Sequence, residues 1–417
     1  MPTKIARMDA VPQAQVSNLT PTAADTTVYT LAINTKQLAT YTSGGGATVQ
    51  QIVEALQPLL EATVESTLIP EATEIASYTE DNTKIVATGL PSGKPFTIAN
   101  TGAGTITVTQ ATAAKSPNHW IAENFDGAGL PVSNDTVIIA ELTEDQSILY
   151  GLDQNAVDLD LLDIRANSQA LIGLGSYDDN GYYQYRDTHL KISADLVRIG
   201  DGDGDGSRRI NLDLGTGATI VTIVKTGSQG IDNDAPVNII ANNVANILYM
   251  NSGIVDLGTK PGNTGAWASL HIEGGILEVG SGTTLVNVMG SNAAVISLAT
   301  DSTITTLKLL DSATITLYGS PDITTADLNG GPLVIKNNDP LIITTLNGYS
   351  NRVLDLSGAN TNVTITDSNI YATADSPFTI IDPHNMAIFT NATYLPNGAA
   401  SFRYLSGVEQ TAKYAPT

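Results

Sequence analysis

The acidic segment at residues 201–206 is the part of this sequence that comes nearest to a metal-binding pattern. Asp201, Asp203 and Asp205 are each followed by a glycine. Carboxylates therefore occupy positions 1, 3 and 5 of a calcium loop, and glycine occupies position 6. Hard cations bind several oxygen atoms on a flexible turn. The pattern predicts a calcium site at Asp201, Asp203 and Asp205, and no other cofactor.

The calcium pattern is incomplete in two respects. Position 12, which should be a glutamate that binds through both oxygens, is Leu212. Arg208 and Arg209 also place positive charge close to the loop. The alternative for the same residues is a glycine-rich corner between β-strands, with its aspartates facing water.

Further aspartates raise the question of glycoside hydrolysis. Retaining and inverting hydrolases both need two carboxyl groups at a defined separation, one of them with a raised pKa. Alternate aspartates on a half-exposed strand normally face solvent, so we expect no catalytic pair and no enzyme activity. The aspartates concerned are Asp158, Asp160, Asp163, Asp178 and Asp179.

The remaining side chains that could take part in catalysis or binding form no known catalytic motif. The sequence contains no HExxH, GxSxG, P-loop or dinucleotide-binding fingerprint. A tyrosine-rich segment with an adjacent arginine could form an aromatic sugar platform or a subunit contact, and packing within the fold is the simpler explanation. These residues are Tyr182, Tyr183, Tyr185 and Arg186. The histidines lack metal-ligand spacing; they are His119, His189, His271 and His384.

Composition and charge restrict the possible partners. Lys plus Arg total 19 and Asp plus Glu total 42, which gives a formal charge of −23 over 417 residues. Nucleic acid is an improbable partner, because attraction to phosphate needs a basic surface. The absence of cysteine excludes disulfides and thiolate metal sites. We expect no membrane partner and no secretory signal, because no apolar run approaches the ~20 residues that cross a bilayer.

The elements that would carry these residues are mainly β-strands. Residues 237–370 repeat short apolar alternations separated by small and polar residues. In LHIEGGILEVG, Leu270 and Ile272 point one way, a Gly-Gly corner follows, and Leu277 and Val279 resume the pattern. One strand about every ten residues is typical of a parallel β-solenoid. The alternative is an antiparallel β-sandwich, although hairpin signals are scarce.

The order of patterns predicts four regions. Residues 1–25 lack periodicity and indicate an N-terminal arm. Residues 26–111 predict a small α+β anchor domain, whose helix begins with a Thr48 and Gln51 capping box and should kink or end at Pro58. Residues 112–377 predict the solenoid, and residues 378–417 a C-terminal cap.

Two segments resemble parts of bacteriophage virion proteins. The hairpin, glycine-rich turn and Thr-capped helix of the anchor domain resemble one virion module. The segment SPNHWIAENFDGAGLPVSNDTVII resembles the opening motif of β-solenoid surface and virion proteins, which implies a cap near residues 117–139, with Phe125 where tryptophan is usual. The matching positions are Trp120, Asn124, Phe125, Pro131 and Asp135.

The resemblance implies a non-enzymatic virion structural protein of a tailed phage. Within that group, the expectation is a capsid decoration (cement) or head-fibre-like protein. It would be made in the host cytoplasm and would assemble as a homotrimer on the major capsid protein at the outer capsid surface. The alternative is a tail fibre or tailspike, an adhesin or depolymerase that binds host glycan.

Overall fold

The computed structural model combines a small N-terminal α+β region with a parallel β-solenoid of about 12 turns, which confirms the predicted fold class. It describes residues 2–64, 66, 68–126, 129–177, 183–228, 235–258 and 264–406.

The N-terminal region contains two antiparallel sheets and one helix. One sheet has the order β5-β6-β2-β8 and the other β4-β3-β7. The elements up to residue 112 are β1 (Thr3–Ile5), β2 (Val16–Pro21), β3 (Val28–Ile33), β4 (Lys36–Thr42), α1 (Val49–Glu61), β5 (Ile75–Glu80), β6 (Ile85–Gly89), β7 (Ile98–Asn100) and β8 (Ile106–Thr112), with a 3-10 helix at Pro70–Glu74.

Helix α1 packs its apolar stripe against the sheets. The Thr48 side chain accepts a hydrogen bond from the Gln51 amide, and the Gln51 side chain bonds back to the Thr48 amide, as the capping box predicts. The helix does not end at Pro58 but continues to Glu61. Its fully buried residues are Ile52, Val53, Leu56 and Leu60.

The predicted N-terminal arm, residues 1–25, contributes a strand to each region. Strand β1 pairs in parallel with Thr136–Ile139 of the solenoid, and β2 lies between β6 and β8 as an inner strand. The paired segments are short and their partners are far away in the sequence, so no alternation over 1–25 reveals them. The N-terminal segment therefore connects the two regions.

The solenoid winds with two strands per turn, and each strand pairs in parallel with the strand two positions later from β11 onwards. Parallel pairing along this ladder excludes the sandwich alternative. Its strands are β9 (Thr136–Ile139), β10 (Asp153–Arg165), β11 (Leu190–Asp201), β12 (Ile210–Asp213), β13 (Ile220–Ile223), β14 (Val237–Ile240), β15 (Ile247–Met250), β16 (Ile254–Leu257), β17 (Gly265–Ile272), β18 (Ile276–Val279), β19 (Thr283–Gly290), β20 (Val295–Leu298), β21 (Ile304–Leu310), β22 (Thr314–Leu317), β23 (Ile323–Asn329), β24 (Leu333–Ile335), β25 (Leu341–Tyr349), β26 (Val353–Asp355), β27 (Val363–Tyr371), β28 (Phe378–Asp382), β29 (Ala387–Phe389) and β30 (Phe402–Ser406). The other 3-10 helices are Ala122–Asn124, Glu144–Gln146 and Ala399–Ser401.

Stacked turns place apolar residues in continuous inward columns. In one column each member is the register partner of the next, and all are buried: Leu212, Ile239, Leu257, Val279, Leu298, Leu317 and Ile335. In a column of this kind nearly all of the apolar side-chain surface is buried. Each Å² of apolar surface that leaves water stabilises the fold by ~25 cal/mol. The alternation predicted at Leu270/Ile272 and Leu277/Val279 is confirmed, because all four side chains are buried.

The described part of the predicted C-terminal cap continues the ladder. Strand β28 pairs with β26, β29 with β27, and β30 with β28. Aromatic rings fill the last turns: Phe378 and Phe402 stack at 6.5 Å, and Phe389 meets Phe402 edge-on at 6.5 Å. Aromatic residues replace the aliphatic alternation in these turns. The sequence alone therefore indicates that the solenoid pattern is interrupted here. Residues 407–417 of the predicted cap lie outside the described residues.

Replacement of Leu317 by Asp should abolish soluble, folded protein. Leu317 is fully buried between Leu298 and Ile335, so an unpaired carboxylate there should cost more than about 4 kcal/mol. Thr316→Asp, one position away and half-buried, is the matched control and should fold. Circular dichroism melting checks both, and an unchanged melting temperature for Leu317→Asp would show that the inward face has been assigned incorrectly.

Candidate functional site at the junction of the two regions

The opening cap closes the first turns with one buried asparagine and two aromatic rings. Asn124 Oδ1 accepts from the Ala10 amide at 2.7 Å, and its Nδ2 donates to the carbonyls of Ser116 and His119 at 2.9 and 2.7 Å. Trp120 and Phe125 are buried and meet edge-on at 4.8 Å. These bonds to backbone groups fix the N-terminal segment against the solenoid.

Asp135 performs the same kind of capping immediately before strand β9. Its side chain is buried, and its Oδ2 accepts from the Val132 amide at 3.0 Å. This bond to a backbone amide holds the short turn that leads into the strand.

His119 lies beside the cap as a buried neutral histidine. Its ring is 5.1 Å from the Tyr150 ring, and Nδ1 is 3.0 Å from Ser116 Oγ. Burial lowers the pKa of His119 to about 4. His119 therefore remains uncharged near neutral pH and acts as part of the packing.

Glu74 is the centre of a polar cluster that joins the two regions. It lies in the 3-10 helix Pro70–Glu74, and its side chain is 3% exposed. Tyr185 Oη donates to Glu74 Oε2 at 2.6 Å, Arg186 forms an ion pair with the same carboxylate, and Lys94 Nζ lies 3.4 Å from Oε1. Tyr185 and Arg186 belong to the connection between β10 and β11, so this contact crosses from the solenoid to the α+β region.

Arg186 is held on every side of its guanidinium group. Nη1 donates to Gln184 Oε1 and Nη2 to the Pro95 carbonyl, each at 3.0 Å. The guanidinium carbon lies 4.4 Å from the centre of the Tyr185 ring, within cation–π range. Burial, and then the negative charge of Glu74, raise the pKa of the Tyr185 hydroxyl, so it remains a hydrogen-bond donor.

The tyrosine-rich segment therefore divides between packing and surface. Tyr185 and Arg186 take part in the junction, which agrees with packing as the simpler explanation. Tyr183 is 77% exposed, with its ring 5.0 Å from that of Tyr177. Tyr182 lies outside the described residues.

The predicted calcium loop occupies a corner after β11. Asp201 Oδ2 lies 3.3 Å from Arg165 Nη1 and 3.7 Å from Arg198 Nη1, whereas Asp203 and Asp205 are exposed. In the part of the chain that the structure describes, no three His, Cys, Asp or Glu side chains are grouped to hold a metal ion. Two guanidinium groups beside Asp201 also oppose a divalent cation. The calcium site remains a prediction that this geometry does not favour.

The glycines of this loop have a packing reason of their own. Gly204 has a φ of 130°, and a Cβ there would lie 2.3 Å from the Ala166 carbonyl oxygen. Gly206 has a φ of 77°, and its Cβ would meet the Gly227 amide at 2.8 Å. Both positions therefore require glycine for the close approach of adjacent turns.

Asp163 lies in the same ion-pair network but cannot contact a substrate. It is 1% exposed, and its Oδ2 lies 2.7 Å from Arg165 Nη2 and 3.9 Å from Arg198 Nη1. Burial raises the pKa of Asp163, against the opposing effect of the two arginines. Asp158 and Asp160 lie on β10 with it, and Asp178 and Asp179 lie outside the described residues.

Sequence reasoning missed Glu74 and the arginine partners of Asp201. Glu74 and Tyr185 are 111 positions apart, and neither lies in a charged motif. The register of β10 with β11 pairs Asp163 with Arg198 and Arg165 with Asp201. The sequence signal for these ion pairs is the presence of opposite charges at outward positions of two adjacent long strands. To predict the pairs from it, the register of β10 against β11 must be known.

Replacement of Glu74 by Gln should weaken the junction by about 3 kcal/mol, because it leaves the largely buried guanidinium of Arg186, 15% exposed, without its counter-charge. The expected result is a lower melting temperature together with faster proteolysis between the two regions. Glu54→Gln, at an exposed position of α1, should change neither. If Glu74→Gln melts and is cleaved like the unaltered protein, the cluster does not hold the regions together.

Comparison with known proteins supplies no relative from which a function could be transferred. No family model matches the chain, no curated protein matches it, and no solved structure matches it. No helix in the described ranges has the length and apolar character needed to span a bilayer. A function for this chain therefore has to be inferred from its own contacts.

Proposed function

We propose that this chain is a non-enzymatic structural protein of a tailed-phage virion, a decoration protein on the outer capsid surface. The observation that carries the proposal is the junction: a small folded domain is fixed to one end of a long solenoid by strand β1 and by the buried Glu74 cluster. A protein that coats a shell needs a base that attaches and a stiff body that projects or covers. This architecture supplies both.

The solenoid is suited to a mechanical role because its core is continuous. One cluster of buried apolar residues extends along the solenoid from Val137 to Phe402, while the α+β region has a second core of its own. Each turn packs on its neighbours, so bending the body requires that inward columns separate. The α+β core can then present a different surface to the shell without disturbing the body.

The charge of the chain supports attachment to a basic protein surface. A formal charge of −23 disfavours contact with nucleic acid and favours a partner with the opposite potential. We propose that the partner is the phage major capsid protein and that the decoration protein binds it as a homotrimer.

Three acidic side chains of the solenoid have structural partners. Asp163 is buried beneath arginines, Asp201 pairs with the same arginines, and Asp135 caps a turn. These contacts support a structural role, whereas a tailspike depolymerase needs two carboxyl groups that reach a glycan.

Immunogold labelling of virions from a producing strain tests the location. Gold over the capsid is the expected result, with antibody against an unrelated cytoplasmic host protein as the negative control. Label at the tail tip would overturn the decoration proposal in favour of a fibre or tailspike. Absence of label on purified virions would show that the protein is not a component of the virion.

A further inference from the structure

Two columns of outward side chains near the C-terminal end of the solenoid combine exposed phenol rings with amides. Tyr349 and Tyr371 are register partners on β25 and β27, and their rings stack with centres 5.5 Å apart. Tyr394, on the turn after β27, is the bridge partner of Asn369. Tyr371 is 45% and Tyr394 49% exposed. We call this surface the tyrosine face.

An amide ladder runs beside the rings on the same outward face. Asn369 Nδ2 donates to Asn347 Oδ1 at 3.0 Å, and Asn347 Nδ2 donates to Asp327 Oδ1 at 2.5 Å. Asn347 and Tyr349 are two residues apart on β25, as are Asn369 and Tyr371 on β27, so rings and amides alternate with Gly348 and Ile370, which point inward. The ladder fixes the amides in place before any ligand arrives.

Exposed rings and ordered amides are the two groups that recognise sugars. The apolar face of a pyranose packs on a phenol ring, and amide and carboxylate groups exchange hydrogen bonds with its hydroxyls. One face of the Tyr371 ring is covered by Tyr349, but nearly half of the Tyr371 and Tyr394 surface remains in water. A stacked ligand would remove that apolar surface from water.

The charge of the tyrosine face selects the kind of glycan. The described strands β25 and β27 contain neither lysine nor arginine. Lys308 lies two turns before Asn347, and Asp327, its register partner, lies on the turn between them. Asp367 lies on the adjacent outward column of β27. Together with the chain's charge of −23, these carboxylates disfavour polyanionic glycans and nucleic acids.

The spacing of the tyrosine face selects an extended ligand. A ring or an amide lies on each of three successive turns, at Asn347 and Tyr349, at Asn369 and Tyr371, and at Tyr394, with the turns ~4.8 Å apart. This repetition fits a chain of repeating sugar units better than a single compact ligand.

We propose that the tyrosine face binds an uncharged polysaccharide, which lies along the solenoid axis with sugar rings on Tyr371 and Tyr394 and hydroxyls on the Asn347 and Asn369 amides. This is a binding activity in addition to the structural role, and it does not depend on where in a virion the protein is located.

The test is binding of the purified full chain to immobilised bacterial polysaccharides and to uncharged and anionic oligosaccharides, with maltohexaose, cellohexaose, chitohexaose and hyaluronan as defined probes. The best uncharged binder is then titrated by calorimetry against variants. Tyr371→Ala/Tyr394→Ala should weaken binding at least tenfold, and Tyr371→Phe, which keeps the ring, should change it less than threefold. Melting curves establish that each variant is folded.

The chain supplies its own matched control. Tyr249 is 42% exposed on an earlier turn and stacks on His271 at 4.9 Å, so Tyr249→Ala removes a similar ring outside the face and should bind like the unaltered protein. Three results would overturn the proposal: no uncharged glycan binds, only anionic glycans bind, or Tyr371→Ala/Tyr394→Ala binds as well as Tyr249→Ala. None of these results bears on the immunogold location.

Discussion

The parallel register of the solenoid ladder is the constraint on which the rest of this structure depends. Each inward residue lies directly against its partner on the next turn. The size of one side chain therefore limits the size of the side chains that it contacts on neighbouring turns. A Cβ at Gly348 would lie 2.7 Å from the Phe378 ring, and one at Gly290 would lie 3.0 Å from Ile296 Cδ1. Small residues thus make room for large ones within a close-packed interior.

A ladder of this kind has two ends, and the chain treats them differently. At the first turn, β1 pairs with β9, and Asn124 holds the residues that follow β1. At the last turns, Phe378, Phe389 and Phe402 fill the interior with rings. The first solution uses chain from the N-terminus and so links the solenoid to the α+β region. Unpaired strand edges recruit other strands, and β1 protects the first edge from such pairing.

Much of the fold could be predicted because its signals are local. The alternation at Leu270, Ile272, Leu277 and Val279 involves a few consecutive residues, and so does the Thr48 capping box. The junction could not be predicted in the same way. Strand β1 is three residues long, and the Glu74 cluster joins positions 111 apart, so both depend on which distant segments meet.

The candidate site shows the same division. The spacing of Asp201, Asp203 and Asp205 is a local signal for calcium, but Arg165 reaches Asp201 from a neighbouring turn. A positive charge from a distant part of the sequence thus pairs with a carboxylate that the local pattern assigns to calcium. The lack of periodicity in residues 1–25 similarly predicts an arm, and the strands β1 and β2 within it form through distant partners.

The N-terminal segment joins the α+β region to the solenoid through strand β1 and the residues that follow it. Hydrogen exchange on the full chain and on a variant lacking residues 1–10 tests this connection most directly. The Thr136 amide donates to the Pro2 carbonyl at 3.0 Å, so we predict that Thr136–Ile139 loses protection in the shortened chain while Val295–Leu298, far along the solenoid, keeps its protection. Equal protection of Thr136–Ile139 in both chains would contradict the claim.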